Sequence, residues 1–520
     1  MRRRALIVLL TVVVVLTAAG VTGVILAFGQ VRGTPEDVAR RYLAAWREGR
    51  FAVMRDLVAG PPSDFVARHE RFGAALKIES IELTAGRLTR KGDDLADLAF
   101  TGVRRVAGLG EWPFASTLRL AVRDRQWKVL WRPETLHPGL TGGDEPRLVE
   151  IPVPAVTLTT RDRKDFPKNS GAEKYVADLN RRIAEAVDDP PSGWAVEVGD
   201  PARGVRRLVE FHPPPPERRV RTTLDWFTQA AAARALDGLD RPAAIVAVRP
   251  STGEVLAVAD RLGGTQNAFL GLYPPGSTFK VVTAAALLAT GKATASTSTA
   301  CPARYVIPRG RTFTNAGLRD RGTLSLREAF AHSCNTTFAR LAVENLAGGE
   351  LWTQATRFGF GARLAPGTGA ATCVVRRSGD DLDRLGADAI GQGSVQANPL
   401  CMALVAAAVR DGTWRPPRLL SRALTRRIDG SPRPPVKLPE ATVAALRDMM
   451  TAVVADGTAA SGGLPAGTAG KTGTAEAGGG RTHAWFIGYR GDLAFCVLVA
   501  GGSSGAEDAV PVAARFLRAL

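Results

Sequence analysis

The chain has 520 residues, 45% hydrophobic and 23% charged. That balance excludes a disordered or low-complexity polymer, and the length exceeds what one hydrophobic core usually serves. A formal net charge of +18 points to anionic partners, while five cysteines and five histidines without C-x-x-C or H-E-x-x-H spacing exclude the familiar zinc sites.

Met1-Arg2-Arg3-Arg4 precedes an uncharged apolar run from Ala5 to Phe28, longer than the ~20 residues that span a bilayer. Arginines held inside place everything from Gln30 onward outside the cytoplasm. A cleaved signal peptide has an apolar core of only ~7 to 15 residues. Residues 1–29 therefore read as a short cytoplasmic stub and an uncleaved single-pass anchor. With that address, the basic charge suits anionic wall polymers or lipid headgroups, not nucleic acid.

Beyond the anchor, "TPEDVARRYLAAWREGRFAVMRDLV" opens with a Thr34 cap and Pro35, followed by apolar residues at helical spacing. Strand-like stretches follow in "LKIESIELTAG", "STLRLAVRD" and "QWKVLWRPETLHP". Residues 30–146 are thus expected to form a small α+β module of helix plus sheet, ending at the linker "GLTGGDEP". Residues 147–218 are irregular, with one helix candidate in "AEKYVADLNRRIAEAV" and a stiff, extended "HPPPPERR", and read as a reduced junction. From 219 to 520 strands and helices alternate, beginning with the helix "TTLDWFTQAAAARAL" and two strands in "AAIVAVRPSTGEVLAVAD" around a Pro250 to Glu254 turn.

The candidate chemistry lies in this last stretch. "YPPGSTFK" sits within Gly271-x4-Gly276-Ser277-Thr278, a phosphate-loop pattern with serine where lysine is needed. The alternative is a serine nucleophile. Ser277 falls at the first turn of the helix "STFKVVTAAALLAT", where the helix field favours developing negative charge. Lys280 follows at i+3 on the same face. To take the serine proton this lysine must be neutral, which burial and a neighbouring cation can arrange. "LREAFAHSCNTTFARLAVENL" places Ser333 and Asn335 at a junction between helices, with Asn335 expected to cap the second. "TAGKTGTAEAGGGRTHAWFIGY" places Lys471, Thr472, Gly473 and Thr474 in a strand that would admit an extended peptide along its edge. A rival G-x-S-x-G elbow at Gly501 to Gly505 lacks a later histidine in this sequence, where the last is His483.

The order Ser-x-x-Lys, Ser-x-Asn, Lys-Thr-Gly resembles the penicillin-binding transpeptidases. The intervals, 56 residues from Ser277 to Ser333 and 138 from Ser333 to Lys471, resemble those of the class B enzymes. "GQGSVQANPLCMALVAAAVRDGTWRPPRLL" is similar to that family's segment between the second and third motifs. The Trp127-to-Trp131 ending of the first module resembles a nuclear-transport-factor-two-like module. That layout is also found in low-affinity, resistance-type relatives.

The resemblance implies a multidomain α+β chain: anchor, cone-like helix-plus-sheet module, short junction, then a serine β-lactamase-like and transpeptidase-like α/β domain with an antiparallel sheet flanked by helices. It implies a peptidoglycan D,D-transpeptidase that cross-links stem peptides, is inhibited covalently by β-lactams and needs no metal or cofactor. A membrane glycosyltransferase is the implied partner. Ser277 would be the nucleophile, Lys280 its base, Ser333 a proton relay and Asn335 a holder of the substrate amide. Lys471, Thr472, Gly473 and Thr474 would bind substrate, with the backbone N–H groups of Ser277 and Thr474 forming the oxyanion hole. A β-lactamase-like hydrolase or a non-catalytic penicillin-binding scaffold is the alternative. The class A Glu-x-x-x-Asn element is missing between Asn335 and Lys471. The family's Arg-Gly-x-Ile-x-Asp-Arg motif has only "TLTTRDR" as a counterpart, so a docking role for the junction is open. Of the cysteines, Cys301 and Cys373 are expected to pair, with Cys334, Cys401 and Cys496 as buried filler.

Overall fold

The computed structural model describes residues 31–142, 144–186, 192–200, 204–212, 218–347, 349–478 and 480–520. The expected anchor over residues 1–29 and the extended Pro213 to Glu217 stretch lie outside the described residues. Among the described residues no helix is long and apolar enough to cross a membrane. The chain divides into two compact units, one comprising described residues up to 153 together with 192–212, the other 154–186 with 218–520.

In the first unit, helix α1 (Pro35–Arg47) starts as expected, with the Thr34 side chain accepting the Asp37 N–H at 3.2 Å. Its buried face, Val38, Tyr42, Leu43 and Trp46, meets a four-stranded antiparallel sheet in meander order: β1 (Ile78–Arg90), β2 (Leu95–Val106), β3 (Gly110–Arg123) and β4 (Gln126–Val129). Strand β2 alternates between exposed and covered residues along most of its length, the period-two signature of a half-buried strand. Helices α2 (Phe51–Asp56) and α3 (Phe65–Ala75) complete the cone.

The unit also holds a three-stranded antiparallel sheet, β5 (Arg147–Pro152), β6 (Ser192–Asp200) and β7 (Gly204–Phe211). These strands fall where the sequence reads as irregular. Their covered residues, such as Val196, Val198 and Phe211, join the first core, so pairing partners far apart in sequence supply what the local pattern does not.

In the second unit the first helix is α4 (Glu173–Glu185), which buries Tyr175, Leu179 and Ile183. Its centre is a five-stranded, fully antiparallel sheet flanked by helices. The strands are β8 (Ala243–Val248), β9 (Val255–Asp260), β10 (Ala469–Glu476), β11 (Thr482–Arg490) and β12 (Leu493–Ala500), in the spatial order β9-β8-β12-β11-β10. Both hairpins expected from the sequence are present. Strands β8 and β12 are near-continuous apolar runs because both faces are covered. Helix α5 (Trp226–Ala235) packs on β9, and other helices of the unit include α6 (Lys280–Ala289), α7 (Leu326–Ala331), α8 (Asn335–Asn345), α9 (Leu382–Ala389), α10 (Pro399–Asp411), α11 (Glu440–Ala455) and α12 (Val510–Arg518). Strand β10 is an edge, hydrogen-bonded to β11 alone.

The cysteines depart from expectation. Cys301 is bonded to Cys334 and Cys373 to Cys401, with Cys496 free and buried. The pairing of Cys301 with Cys373 and the reading of Cys334 and Cys401 as filler are therefore corrected. Half-cystines in apolar runs look like core residues because the bond itself is buried.

Candidate active site

The Tyr273 to Gly276 stretch cannot be helical, and the chain there is clamped from two sides. Tyr273 exchanges both backbone hydrogen bonds with Ala397, at 2.9 and 2.8 Å. The Gly276 N–H donates to the Gly391 carbonyl at 2.9 Å. Thr278 Oγ1 then donates to the Pro275 carbonyl at 2.7 Å, and a tight turn over Gly276–Phe279 runs directly into α6. Ser277 is half-buried at this tip, on the first turn as the sequence predicts. Gly391 has φ +76°, and a Cβ there would meet the Gly276 carbonyl oxygen at 1.9 Å. Gly473 approaches from the strand side, where a Cβ would stand 2.8 Å from the Pro275 carbonyl oxygen and 3.1 Å from Thr278 N. The turn carrying Ser277 is thus wedged between the residue 391 loop and β10.

Lys280 is fully buried, and its Nζ donates to the Ser333 carbonyl at 2.7 Å, Ser333 Oγ at 3.3 Å and Asn335 Oδ1 at 2.6 Å. Its Nζ also sits 5.6 Å from the Phe338 ring centre. Burial, and then the charge of Lys471, hold the Lys280 amine well below the usual lysine range. Ser277 Oγ makes no hydrogen bond among the described residues, so in this ground state the amine is docked on the second motif.

The second motif hangs between α7 and α8. Helix α7 begins with a reciprocal Ser325–Glu328 capping box. After its end, Ser333 takes a left-handed backbone, φ +61°, which turns the chain sharply into α8. Asn335 is the first residue of α8 and Cys334 its cap position, which corrects the expectation that Asn335 caps the helix. The amide is instead committed sideways: its Nδ2 donates to the Thr314 carbonyl at 3.0 Å while its Oδ1 receives Lys280. The Cys301–Cys334 bond anchors the residue between Ser333 and Asn335, and Thr336 Oγ1 donates to the Pro302 carbonyl at 2.8 Å.

The third motif occupies β10. Lys471 is fully buried, 5.5 Å from the Phe330 ring centre, and donates to the Thr472 carbonyl at 3.0 Å. Among the described residues neither Lys280 nor Lys471 has a carboxylate partner, and burial brings Lys471 down to about 7. Gly473 makes the close approach to the turn carrying Ser277, and Thr474, exposed at the edge strand, accepts the Gly505 N–H at 3.2 Å. Thr472 Oγ1 shares a 2.6 Å hydrogen bond with Thr458 Oγ1, just past α11. Ser277, Lys280, Ser333, Asn335, Lys471, Thr472, Gly473 and Thr474 therefore belong to one constellation, with the turn, the α7–α8 junction and the edge strand as its three walls.

Two supporting residues escape a reading of the sequence. Thr458 is one. The other is Asp388 in α9, fully buried, which accepts from Ser394 N at 2.6 Å and Ser394 Oγ at 2.9 Å and so braces the loop carrying Gly391. Burial raises its carboxyl to about 6. The rival serines are caps: Ser504 accepts the Glu507 N–H, and Ser503 Oγ donates to Glu507 and Asp508, both at 2.9 Å.

Comparison with known proteins gives two family matches. Residues 243–518 match the penicillin binding protein transpeptidase domain, and residues 34–144 match the NTF2-like N-terminal transpeptidase domain. The peptidoglycan D,D-transpeptidase PbpA of Mycobacterium tuberculosis is 32% identical over 377 residues, covering 60% of this chain and 75% of the relative. The protein of the same name from Mycolicibacterium smegmatis is 31% identical over 366 residues, 59% and 74% of the two chains. Among solved structures, the imipenem acyl-enzyme complex of penicillin-binding protein A from M. tuberculosis is similar at a TM-score of 0.52 and 26% identity, covering 70% of this chain and 90% of that one.

Proposed function

We propose, from the premise that this chain belongs to the penicillin-binding protein transpeptidase family, specific roles for its residues in peptidoglycan D,D-transpeptidation through a serine acyl-enzyme. Ser277 Oγ attacks the carbonyl of the penultimate D-alanine of a stem peptide while neutral Lys280 takes its proton. The oxyanion that forms is held by the backbone N–H groups of Ser277 and Thr474, where one such donor is typically worth ~2.7 to 4 kcal/mol. Ser333 passes a proton to the departing D-alanine nitrogen, the C–N bond breaks, and the acyl group remains on Ser277. An amine from a neighbouring stem peptide then attacks the ester, the cross-link closes, and Ser277 recovers its proton.

The observation that carries this reading is the carboxylate-free burial of Lys280 against Ser333 and Asn335, at 2.6 to 3.3 Å. A lysine desolvated in that way and facing a second cation is suited to accept a proton near neutral pH. Lys471 supplies the second charge. Asn335 holds the substrate amide, Thr472 and Thr474 receive its terminal carboxylate, and the free edge of β10 receives its backbone. β-Lactams would acylate Ser277 by the same attack, as the imipenem acyl-enzyme complex of the M. tuberculosis relative supports.

Domain boundaries at residues 29, 146 and 218, single-pass anchoring through residues 1–29, an extracytoplasmic active site and a membrane glycosyltransferase partner belong to the same proposal. The Ala5 to Phe28 run supports the anchor. Co-purification of a glycosyltransferase that is lost on removing residues 1–29 tests the partner. The decisive experiment for the site is labelling of the purified chain with a fluorescent penicillin. Labelling disappears in Ser277→Ala and falls steeply in Lys280→Ala. A Ser277→Ala chain that still labels removes the assignment, and steady turnover of the penicillin would favour a hydrolase.

A further inference from the structure

The larger unit has a second concave feature, around the stretch that follows α10. It encloses about 320 Å³ and is lined by Arg415, Arg418, Arg422, Arg426 and Arg433, with no carboxylate in its lining. Five prolines make up much of the remaining wall. Proline fixes φ and lacks an N–H, so this wall is stiff and its backbone offers few donors to rival the guanidinium groups.

Five like charges around one cavity repel one another and need compensation. Among the described residues two of them receive it from a carboxylate outside the lining. Arg415 is held by Asp411, and Arg418 by Glu254 at 2.7 Å. Glu254 is itself shared with Arg249 at 3.1 Å and Arg161 at 3.6 Å. Arg433 donates to an uncharged acceptor, the Thr356 carbonyl, at 2.7 Å. Arg422 and Arg426 stand one turn apart on the helix Arg422–Asp429, both exposed, and neither has a carboxylate partner among the described residues. Arg418 adds a buried Nε with no acceptor among the described residues.

Guanidinium groups around a pocket whose own lining holds no carboxylate present paired N–H donors in planar forks, the arrangement that matches the oxygens of phosphate. A lone carboxylate would engage one fork and leave the others unpaired. We propose that this pocket binds a phosphate group, carried as a phosphodiester on a soluble polyol or on a lipid headgroup. Arg422 and Arg426 grip the phosphate from the helix, with Arg433 and Arg418 as further donors in the lining.

The test uses the full-length chain in uncharged detergent at physiological salt, titrated calorimetrically with a glycerol phosphate oligomer and, separately, with monomeric dihexanoyl phosphatidylglycerol. A carboxylate polymer, oligogalacturonate, is the charge control. At least one phosphodiester binds, and Arg422→Gln/Arg426→Gln weakens it about tenfold or more. Arg234→Gln/Arg515→Gln, which removes the same charge from exposed sites elsewhere in the unit, changes it by less than about twofold. Binding of the oligomer alone identifies a polymer as the source, and binding of the lipid alone a headgroup. Fluorescent penicillin labelling stays at the parent level in both double variants, which reports an intact fold and separates this proposal from the catalytic one. Failure of both phosphodiesters to bind overturns it, as does equal loss in the two double variants or oligogalacturonate binding as tightly.

Discussion

The contact between Gly391 and the nucleophile turn offers the sharpest test of the geometry. In Gly391→Ala the new methyl would stand 1.9 Å from the Gly276 carbonyl oxygen and 2.9 Å from Phe279 Cβ, where ordinary contact begins at 3.4 Å. The shortfall to Gly276 is 1.5 Å, the difference of 3.4 and 1.9, and both neighbours are fixed: one is backbone, the other the first atom of a buried side chain. Alanine at φ +76° costs about 1 to 2 kcal/mol, and breaking the Gly276 N–H to Gly391 carbonyl bond in a buried setting costs about 1 to 3 kcal/mol more. Stability should therefore fall by about 2 to 5 kcal/mol. The retreat of the turn carries Ser277 with it, and a displacement near 1 Å can lower a rate about 100-fold.

Gly291→Ala is the control, because Gly291 has φ +69° with nothing within 4 Å, so it pays the backbone term without the overlap. Acylation rates by fluorescent penicillin and thermal unfolding, measured on both variants, separate the effects: Gly291→Ala acylates normally with a small loss of stability, and Gly391→Ala loses acylation. Equal acylation in the two variants would refute the claim that the residue 391 loop positions the nucleophile.

Four further outcomes are expected. Lys471→Met removes the cation that helps to depress Lys280, so the pKa of Lys280 rises, less of it is neutral at a given pH, and the acidic limb of the acylation profile moves to higher pH; an unmoved limb contradicts the coupling. Because Lys471 titrates near 7 when folded but near 10.4 when unfolded, the unfolded chain binds more protons between those values and stability rises with pH across that window, a slope that Lys471→Met flattens in denaturant titrations. Non-reducing peptide mapping finds Cys301 with Cys334 and Cys373 with Cys401, leaving Cys496 to alkylate on unfolding, and loss of either bond, with sequence separations of 33 and 28, lowers stability by about 3 to 4 kcal/mol. In the first unit, Thr34→Ala deletes the α1 cap and costs about 1 kcal/mol by thermal unfolding.

Much of the site was legible because its chemistry is written locally. Ser277 and Lys280 share one helical face, Ser333 and Asn335 flank one junction, and Lys471 to Thr474 lie on one strand; the order of the three motifs then carried the resemblance. The α1 cap, both hairpins of the large sheet and the α7–α8 break follow from caps, glycine turns and apolar runs within a few residues. What the sequence concealed depends on distant partners. Cys334 joins Cys301 because the segment between α6 and α7 folds back on the second motif, and spacing alone carries no sign of that. Strands β6 and β7 lack a clear alternating pattern; β6 pairs with β5, forty or more residues earlier, and β7 pairs with β6. Asp388 and Thr458 look like ordinary helix residues until a loop and a strand are laid against them.

The backbone at Ser333 bears on how the second motif should be dissected. At φ +61° the main chain there would be more comfortable as glycine, so serine is kept against local preference. Alanine replacement would mix two effects, deleting the oxygen while retaining an awkward Cβ. Glycine deletes the oxygen and relaxes the bend, so a chain that becomes sturdier yet slower as Ser333→Gly would reveal a residue selected for proton handling at the fold's expense.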